Sequence, residues 1–500
     1  MQNKTLDSLY ETIERKYYIF EGQCSKIIEY HGLFDKQISK NIAAASIQTR
    51  PSSSNGVWCC ALLPVILVLF NTLYHVPTAY SLTAYISLGL LFNSSLFMLF
   101  LSISCRVLKD NIYGGSLACG ILSSLLVYTL LDQNLIISIA ITLPPMMALY
   151  YLIRFVLKNF PSTFTLGEAL IVIQGFILFV SLSIGKLVLT DKVNPDIDIV
   201  DTTIYIGLTT VAAGITIMAK LPKESHTSSK LLQVTASVCL LAALVLHIVL
   251  GPTILMRLFS YIFDDFNKIK LLLFWLMMVF LAIYLVTVSP TSTKADTVAR
   301  KSFHIVASLV FIPGILCDVQ FMKLASGVAL GLLITLEALR KSGIEPYSSA
   351  LQSAFQVYAD EKDAGSFAMT PIYLFVGLAC PLVLVPQYEG HQLVLLSGVL
   401  SIGVGDTAAS WYGSRYGVTK ILGTNKTKEG AYANILAQIA TVVVLRYLGY
   451  LMTASTIATM IRVAFVATIS GLVEATTDQV DNLILPLVSI IAFQLTWFLE

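Results

Sequence analysis

The chain has 500 residues, of which 56% are hydrophobic and 12% charged, and its mean hydropathy is +0.78. A soluble globular protein carries about 25% charged residues, so this composition excludes a chain that hides its apolar surface in one water-soluble core and makes lipid part of its solvent. The net charge of +2 gives no case for a nucleic-acid-binding surface.

Residues 1–56 form a polar segment with Lys4, Arg15, Lys16, Lys26, Lys36, Lys40 and Arg50. It contains no short apolar stretch of the signal-peptide kind, so no cleaved leader is expected and the first spanning segment acts as its own insertion signal. A spanning helix needs about 20 mostly apolar residues, and the sequence offers about 15 such segments. They lie near 57–76, 79–105, 113–131, 134–157, 164–189, 200–219, 231–256, 269–289, 303–317, 322–339, 370–386, 391–412, 430–451, 455–475 and 481–499. The run at 303–317 is short and 231–256 contains Gly251-Pro252, features of re-entrant or kinked segments. The expected fold is all-α, a polytopic transmembrane helical bundle.

Basic residues set the expected orientation. One set of alternate loops holds Arg106 and Lys109; Lys158; Lys220, Lys223 and Lys230; Lys294, Arg300 and Lys301; Arg340, Lys341 and Lys362; and Arg415, Lys420, Lys426 and Lys428. The other set has only Lys192, Arg257, Lys268 and Lys323. Short cytoplasmic loops carry the Lys/Arg excess, so the first set and the N-terminus are expected to be cytosolic and the C-terminus to lie on the far side. Four polar segments, 290–302, 340–369, 413–429 and 474–481, then share the cytosolic face. The expected organisation is a cytosolic segment 1–56, transmembrane helices 57–290 of unassigned role, and a catalytic transmembrane domain 291–500.

The densest polar stretch is Gly403-Val404-Gly405-Asp406-Thr407-Ala408-Ala409-Ser410, followed by Gly413 and Gly417. A carboxylate at the centre of a spanning helix costs roughly 2.5–3.5 kcal/mol on insertion scales, less near the interface. Asp406 therefore calls for a Mg²⁺ ion or a lysine. The small residues around it, Gly405 among them, permit close approach by another helix or by a phosphate. Lys426 and Lys428 flank Thr427 just before a helix that begins near Gly430. Two ammonium groups, a hydroxyl and free backbone N–H groups at a helix start suit a polyphosphate, and equally suit a basic loop that only fixes topology.

Glu474, Asp478 and Asp481 flank a turn between two membrane helices, where carboxylates suit Mg²⁺ and nucleotide. Arg300-Lys301-Ser302-Phe303-His304 places a basic pair where anionic head groups lie, with His304 just inside the next helix as a packing residue. Glu337, Arg446 and Arg462 lie within apolar runs and receive no role. No G-x-x-x-x-G-K-S/T and no G-x-G-x-x-G occurs, so any nucleotide is held by another route. The eight cysteines form no metal pattern and no disulfide ladder. Of the three Asn-x-Ser/Thr sequons, at Asn3, Asn93 and Asn425, the second lies inside an apolar helix and the others on the cytosolic side, so none is expected to carry a glycan.

These blocks together resemble the signature of dolichol kinase and its polyprenol and phytol kinase relatives. The resemblance rests on Gly405-Asp406-Thr407-Ala408-Ala409-Ser410 with Gly413, Gly417 and Lys426-Thr427-Lys428-Glu429-Gly430. Also similar are Arg300 to His304 with Ile312-Pro313-Gly314-Ile315, Asp360-Glu361-Lys362-Asp363, Pro371-Ile372-Tyr373-Leu374, and Glu474-Ala475 through Asp481-Asn482-Leu483 to Pro486. It covers roughly residues 295–490, and residues 1–290 resemble the family only as a run of membrane helices. One departure is Lys428, at a position that is aromatic in many dolichol kinases.

The resemblance implies a multi-pass enzyme of the endoplasmic reticulum membrane that uses CTP and Mg²⁺ or another divalent cation to make dolichyl phosphate, the carrier lipid of N-glycosylation. It implies CTP contacts from Thr424 and Asn425 through Lys426, Thr427, Lys428, Glu429 and Gly430 to Gln438, with Gly405, Arg300 and Lys301 beside them. Lys426 and Lys428 are expected to meet phosphate charge. Asp406 is expected to hold the cation, with Asp478 or Asp481 as a further ligand or as the group that orients the acceptor hydroxyl. Glu429 is expected to lock a lysine or the helix start. The expected partners are a dolichol or other polyprenol and membrane lipids. Another polyprenol or phytol kinase remains an alternative. A phosphatidate cytidylyltransferase-like enzyme is disfavoured because Asp478 to Leu483 contains no lysine or arginine, and a transporter because the polar clusters share one side.

Overall fold

The computed structural model describes residues 29–188, 195–288, 297–358, 363, 365, 367–386, 390–421, 424, 426–451 and 455–499. Asn425, Asp360, Glu361, Lys362, Lys294, Lys192, Asn3, Cys24 and the basic residues of 1–28 lie outside them. Among the described residues every regular element is helical, and the sole pairing of extended backbone is one antiparallel bridge between Lys420 and Thr427.

Nine of these helices are long and apolar enough to cross a membrane: Thr78–Ile103, Leu135–Asn159, Leu166–Lys186, Ile199–Lys220, Ser228–Leu250, Phe266–Leu285, Arg300–Cys317, Val319–Ser342 and Thr456–Thr476. Shorter apolar helices occupy Val57–Leu73, Gly114–Leu130, Ile254–Phe263, Met369–Ala379 and Asp481–Leu495. Several expected spans are thus interrupted. The run near 231–256 ends at Leu250, where Gly251 takes a φ of 94° that favours glycine. The run near 370–386 is divided at Cys380-Pro381, and the run near 391–412 is built from three short helical pieces, Gln392–Leu395, Val399–Asp406 and Thr407–Tyr416. The Lys428–Tyr447 helix carries Lys428, Glu429 and Arg446 at its ends and buries Asn434 and Gln438 along its middle. Conversely, the segment near 303–317 is part of a full helix, Thr297–Cys317, with Pro313 inside it.

One apolar core joins the two halves of the chain. It runs from Ile38, Phe70, Leu90 and Tyr150 to Phe311, Leu378, Val399 and Phe493. The last helix, Asp481–Leu495, packs against Leu62–Leu73, near the start of the first apolar run, and also against Met369–Ala379 and Thr456–Thr476. Large side chains such as Leu240, Phe280, Leu332 and Leu436 are exposed on the outer faces, as lipid-facing residues are in a bilayer.

Candidate active site

Three elements bring acidic groups together. The Thr456–Thr476 helix carries Glu474 in its last turn, and that helix is closed by the Thr477 N–H donating to Val473 O at 2.9 Å. After a turn, Asp481 opens the Asp481–Leu495 helix, where the helix dipole favours a carboxylate. The third group, Asp406, ends a π-helical segment, Val399–Asp406, that runs directly into Thr407–Tyr416. Such wide turns are rare overall but frequent at functional sites. One oxygen of each of Asp406, Glu474 and Asp481 lies within 4.8 Å of the others, and the first two groups are buried.

Three carboxylates this close repel one another unless cations compensate them. Lys301, in the Thr297–Cys317 helix, pairs with Asp406 Oδ2. Lys426 stands 2.6 Å from Glu474 Oε1 and 3.6 Å from Asp481 Oδ2, and its ammonium also donates to the backbone carbonyl of Glu474. Burial pulls the Lys426 pKa down, but the carboxylates of Asp481 and Glu474 outweigh it and hold the group above its ordinary value. Two lysines against three carboxylates leave one formal negative charge when all are ionised. That imbalance and an all-oxygen donor set suit a hard divalent cation. Behind this cluster His304 Nε2 lies 3.3 Å from Asn482 Oδ1, and Gln438 donates to Asn434 Oδ1 at 2.6 Å. Gly405 leaves room for that second pair, since a Cβ there would come within 2.6 Å of Asn434 Oδ1 and 2.7 Å of Gln438 Nε2.

The lysine loop is shaped by its own hydrogen bonds. Thr427 caps the Lys428–Tyr447 helix, its hydroxyl accepting from Gly430 N–H at 3.2 Å. The Thr424 hydroxyl accepts from Lys426 N–H at 3.2 Å, and Lys428 N–H donates to Thr419 O at 2.9 Å. Glu429 accepts from the backbone N–H groups of Val418 and Thr419 at 3.2 and 3.1 Å. Those donors, together with its own N–H, lower the Glu429 pKa. This carboxylate therefore ties the loop's two ends together and pairs with no lysine among the described residues. Gly430 sits tightly against the Thr407–Tyr416 helix, where a Cβ would stand 3.0 Å from Ala409 O.

The expected residues are not all gathered. Asp406, Lys426, Asp481 and Lys301 converge. Lys428 is exposed and Arg300 partly buried. Asp478 lies outside the carboxylate trio and accepts from Ser52 Oγ at 2.9 Å and Ser53 N–H at 2.6 Å. Partial burial raises its pKa, but the Ser53 and Ser52 hydrogen bonds more than reverse this and leave it lowered. Glu474 takes the place expected for Asp478. Asn434 was passed over by sequence reasoning, and so was Lys301 as a direct partner of Asp406. The signal was spacing: Lys301 with His304 and Asn434 with Gln438 each share one helix face at three or four residues.

A family model described as dolichol kinase matches residues 87–417. The chain is 30% identical over 390 residues to the dolichol kinase of Homo sapiens, a match covering 74% of this chain and 72% of that protein. It is 26% identical over 381 residues to a dolichol kinase of Arabidopsis thaliana, covering 67% and 65%. To the dolichol kinase of Saccharomyces cerevisiae it is 27% identical over 286 residues, covering 57% and 53%. No solved structure matches the chain. The family match begins well before residue 290, so likeness extends into helices whose sequence carried no motif of the family.

Proposed function

The chain belongs to the dolichol kinase family, membrane enzymes that phosphorylate dolichol, and on that premise we propose that its donor is CTP and that residues 291–500 carry the catalytic site. The convergence of Lys426 on Glu474 and Asp481, with Asp406 in the same cluster, is the observation that supports this reading most directly. The terminal dolichol oxygen attacks the γ-phosphorus of CTP. A new P–O bond forms, the bond from the γ-phosphorus to the β-bridging oxygen breaks, CDP leaves with that electron pair, and the hydroxyl proton passes to water. Positioning and charge stabilisation dominate such a transfer.

Asp406, Glu474 and Asp481 are the residues that would hold Mg²⁺, which when bound supplies charge neutralisation for the phosphates. Lys426 lies beside them as the cation that meets polyphosphate. Lys428, exposed at the first turn of its helix, and Arg300 extend the positive surface toward the nucleotide, while Lys301 holds Asp406. Thr424, Thr427 and Glu429 shape the loop, and Gly405, Gly430 and Gln438 fix its packing on the cluster. The proposal also includes about 15 crossings, from the count of apolar runs, an endoplasmic reticulum location, from the family likeness, and a cytosolic N-terminus and active site with a lumenal C-terminus, supported by the basic-loop asymmetry.

Purified protein incubated with dolichol and CTP labelled at either the γ or the α phosphate tests the reading. Label in lipid from the γ position is the expected result. Label from the α position would instead make the enzyme a cytidylyltransferase, and transfer only to a short prenol would make it a phytol-type kinase.

A further inference from the structure

The turn between Glu474 and Asp481 is gripped by the N-terminal half of the chain, residue by residue. Arg50 and Glu168 form a two-pronged pair, Nη2 to Oε1 at 2.6 Å and Nε to Oε2 at 3.2 Å, and they are only 5% and 0% exposed. From this pair Arg50 Nη2 donates to the Asp478 carbonyl at 3.2 Å, and Glu168 Oε1 accepts from the Val480 N–H at 3.0 Å. Between those two points Gln479 accepts from Thr165 Oγ1 at 2.6 Å and donates to Ser54 O at 3.0 Å. The pair is anchored in turn: Arg50 N–H donates to Phe164 O at 2.9 Å, and Thr165 N–H donates to Glu168 Oε2 at 2.9 Å. All three residues of the turn are thus fixed through backbone or amide contacts to residues more than 300 positions earlier.

We propose that Arg50 and Glu168 are positioning residues that set the separation of Glu474 and Asp481, and hence the cluster's affinity for a divalent cation. The inference rests on the reading of Asp406, Glu474 and Asp481 as the cation site. Glu474 ends one helix and Asp481 begins the next, so their relative placement is decided by the turn between them. Local bonds do not decide this. Val480 O accepts from Leu483 and Ile484 N–H at 3.0 and 3.1 Å, tying it to the second helix. Gln479 N–H donates to Thr477 Oγ1 at 3.3 Å, tying it to the end of the first, and neither contact links one helix to the other. A buried fork of two charges is stiff where a lone hydrogen bond is not. Groups that orient metal ligands without touching the metal typically change metal affinity 10–100-fold when replaced.

The test compares full-length Glu168→Gln, Arg50→Lys and Thr165→Val with the parent. Glutamine turns an NH₂ donor toward the Arg50 donors, and lysine cannot fork to Glu168 and the Asp478 carbonyl together. Thr165→Val removes the Gln479 contact, and with it the Glu168 N–H bond to the same hydroxyl at 3.2 Å, while both charges of the ion pair stay in place. The readouts are the Mn²⁺ dissociation constant by electron paramagnetic resonance without nucleotide, and the KM for CTP at saturating Mn²⁺. Expected is a Mn²⁺ constant raised about 10-fold in the first two variants and raised less in Thr165→Val, with the CTP KM unchanged. A purely structural role would lower melting temperature and yield while the folded fraction kept the parental constant, and that result overturns the proposal. If the first two variants do not fold, a parental constant in Thr165→Val overturns it and a raised one supports it. Unchanged Mn²⁺ binding by Asp481→Asn is a separate failure, because it removes the cluster as the cation site and the proposal with it.

Discussion

Lys426 reaches Glu474 across 48 residues of chain and makes two contacts there, a 2.6 Å ion pair with the carboxylate and a hydrogen bond to the backbone carbonyl. A lysine on a loop is thereby joined to the end of a membrane helix, and its second carboxylate, Asp481, belongs to the next helix. Lys426→Met leaves those two acids facing one another without a counter-charge. Removing one preorganised donor from a reaction centre costs about 10²–10³ in rate. The γ-label transfer assay is expected to show a loss of at least that size, with normal membrane insertion by protease protection.

The raised Lys426 pKa fixes the sign of an alkaline effect. A group whose folded-state pKa lies above its unfolded value contributes stability that is fully present below the ordinary lysine value of 10.5 and is lost as pH rises through the higher folded value. The lysine therefore stays charged through the whole neutral and mildly alkaline range. The pH–rate profile of the parent is expected to show no deprotonation limb for this group below about pH 10. A limb that moves in Lys426→Arg would contradict that assignment.

Asp406 and Lys301 are expected to separate stability from chemistry. Either residue alone leaves a buried charge unpaired, a change that costs about 3–5 kcal/mol in comparable sites. Asp406→Asn is expected to lower the melting temperature in detergent and abolish transfer. The double variant Asp406→Asn with Lys301→Met is expected to recover most of the melting temperature and none of the activity. Recovery of transfer in the double variant would remove Asp406 from the mechanism.

Glu474 lies in the last turn of its helix and Asp478 in the turn that follows, and their surroundings differ. Glu474→Gln is expected to cut transfer by about 10² or more and to raise the cation requirement. Asp478→Asn removes the charge from the Ser52 and Ser53 contacts, with an expected cost of about 1 kcal/mol and a several-fold effect on rate at most. Its lowered pKa means that the contribution is present above the unfolded value of 3.8 and is lost as pH falls through the folded value. The melting-temperature difference between parent and variant should therefore shrink in that acid window and be constant at neutral pH.

Lys428 provides a test of how far the nucleotide reaches. It is exposed at the start of its helix. Lys428→Met is expected to raise the KM for CTP several-fold, by about 1 kcal/mol of lost phosphate contact, with kcat nearly unchanged. A loss of kcat alone would place this lysine nearer the transferred group than its exposure suggests.

Much of the architecture is readable from hydropathy, because apolar runs of membrane length are hard to disguise. The all-helical class follows from them. The break near Gly251 is announced by Gly251-Pro252, but those at Cys380-Pro381 and between Leu395 and Val399 do not follow, since the run near 391–412 reads as one apolar stretch whatever its local pitch. Asp406, Lys426 and Asp481 were visible as charges in places that demand partners. The choice of Glu474 over Asp478 was not. It depends on how the turn is folded, and that is decided by Arg50, Thr165 and Glu168, which are remote in sequence. Likewise the sequence marks Lys301 as basic and near the membrane surface, but whether it meets a head group or Asp406 depends on how two helices pack.

The packing of Asp481–Leu495 against Leu62–Leu73 bears on how the gene can be divided. A fragment starting at residue 291 would present the flank of its Asp481–Leu495 helix without the cover of the Leu62–Leu73 helix. Such a piece should aggregate when expressed alone and become active only when co-translated with the missing portion. Hybrids that join halves from two species should then work in proportion to how well that seam and the grip of Arg50, Thr165 and Glu168 on the 478–480 turn are matched.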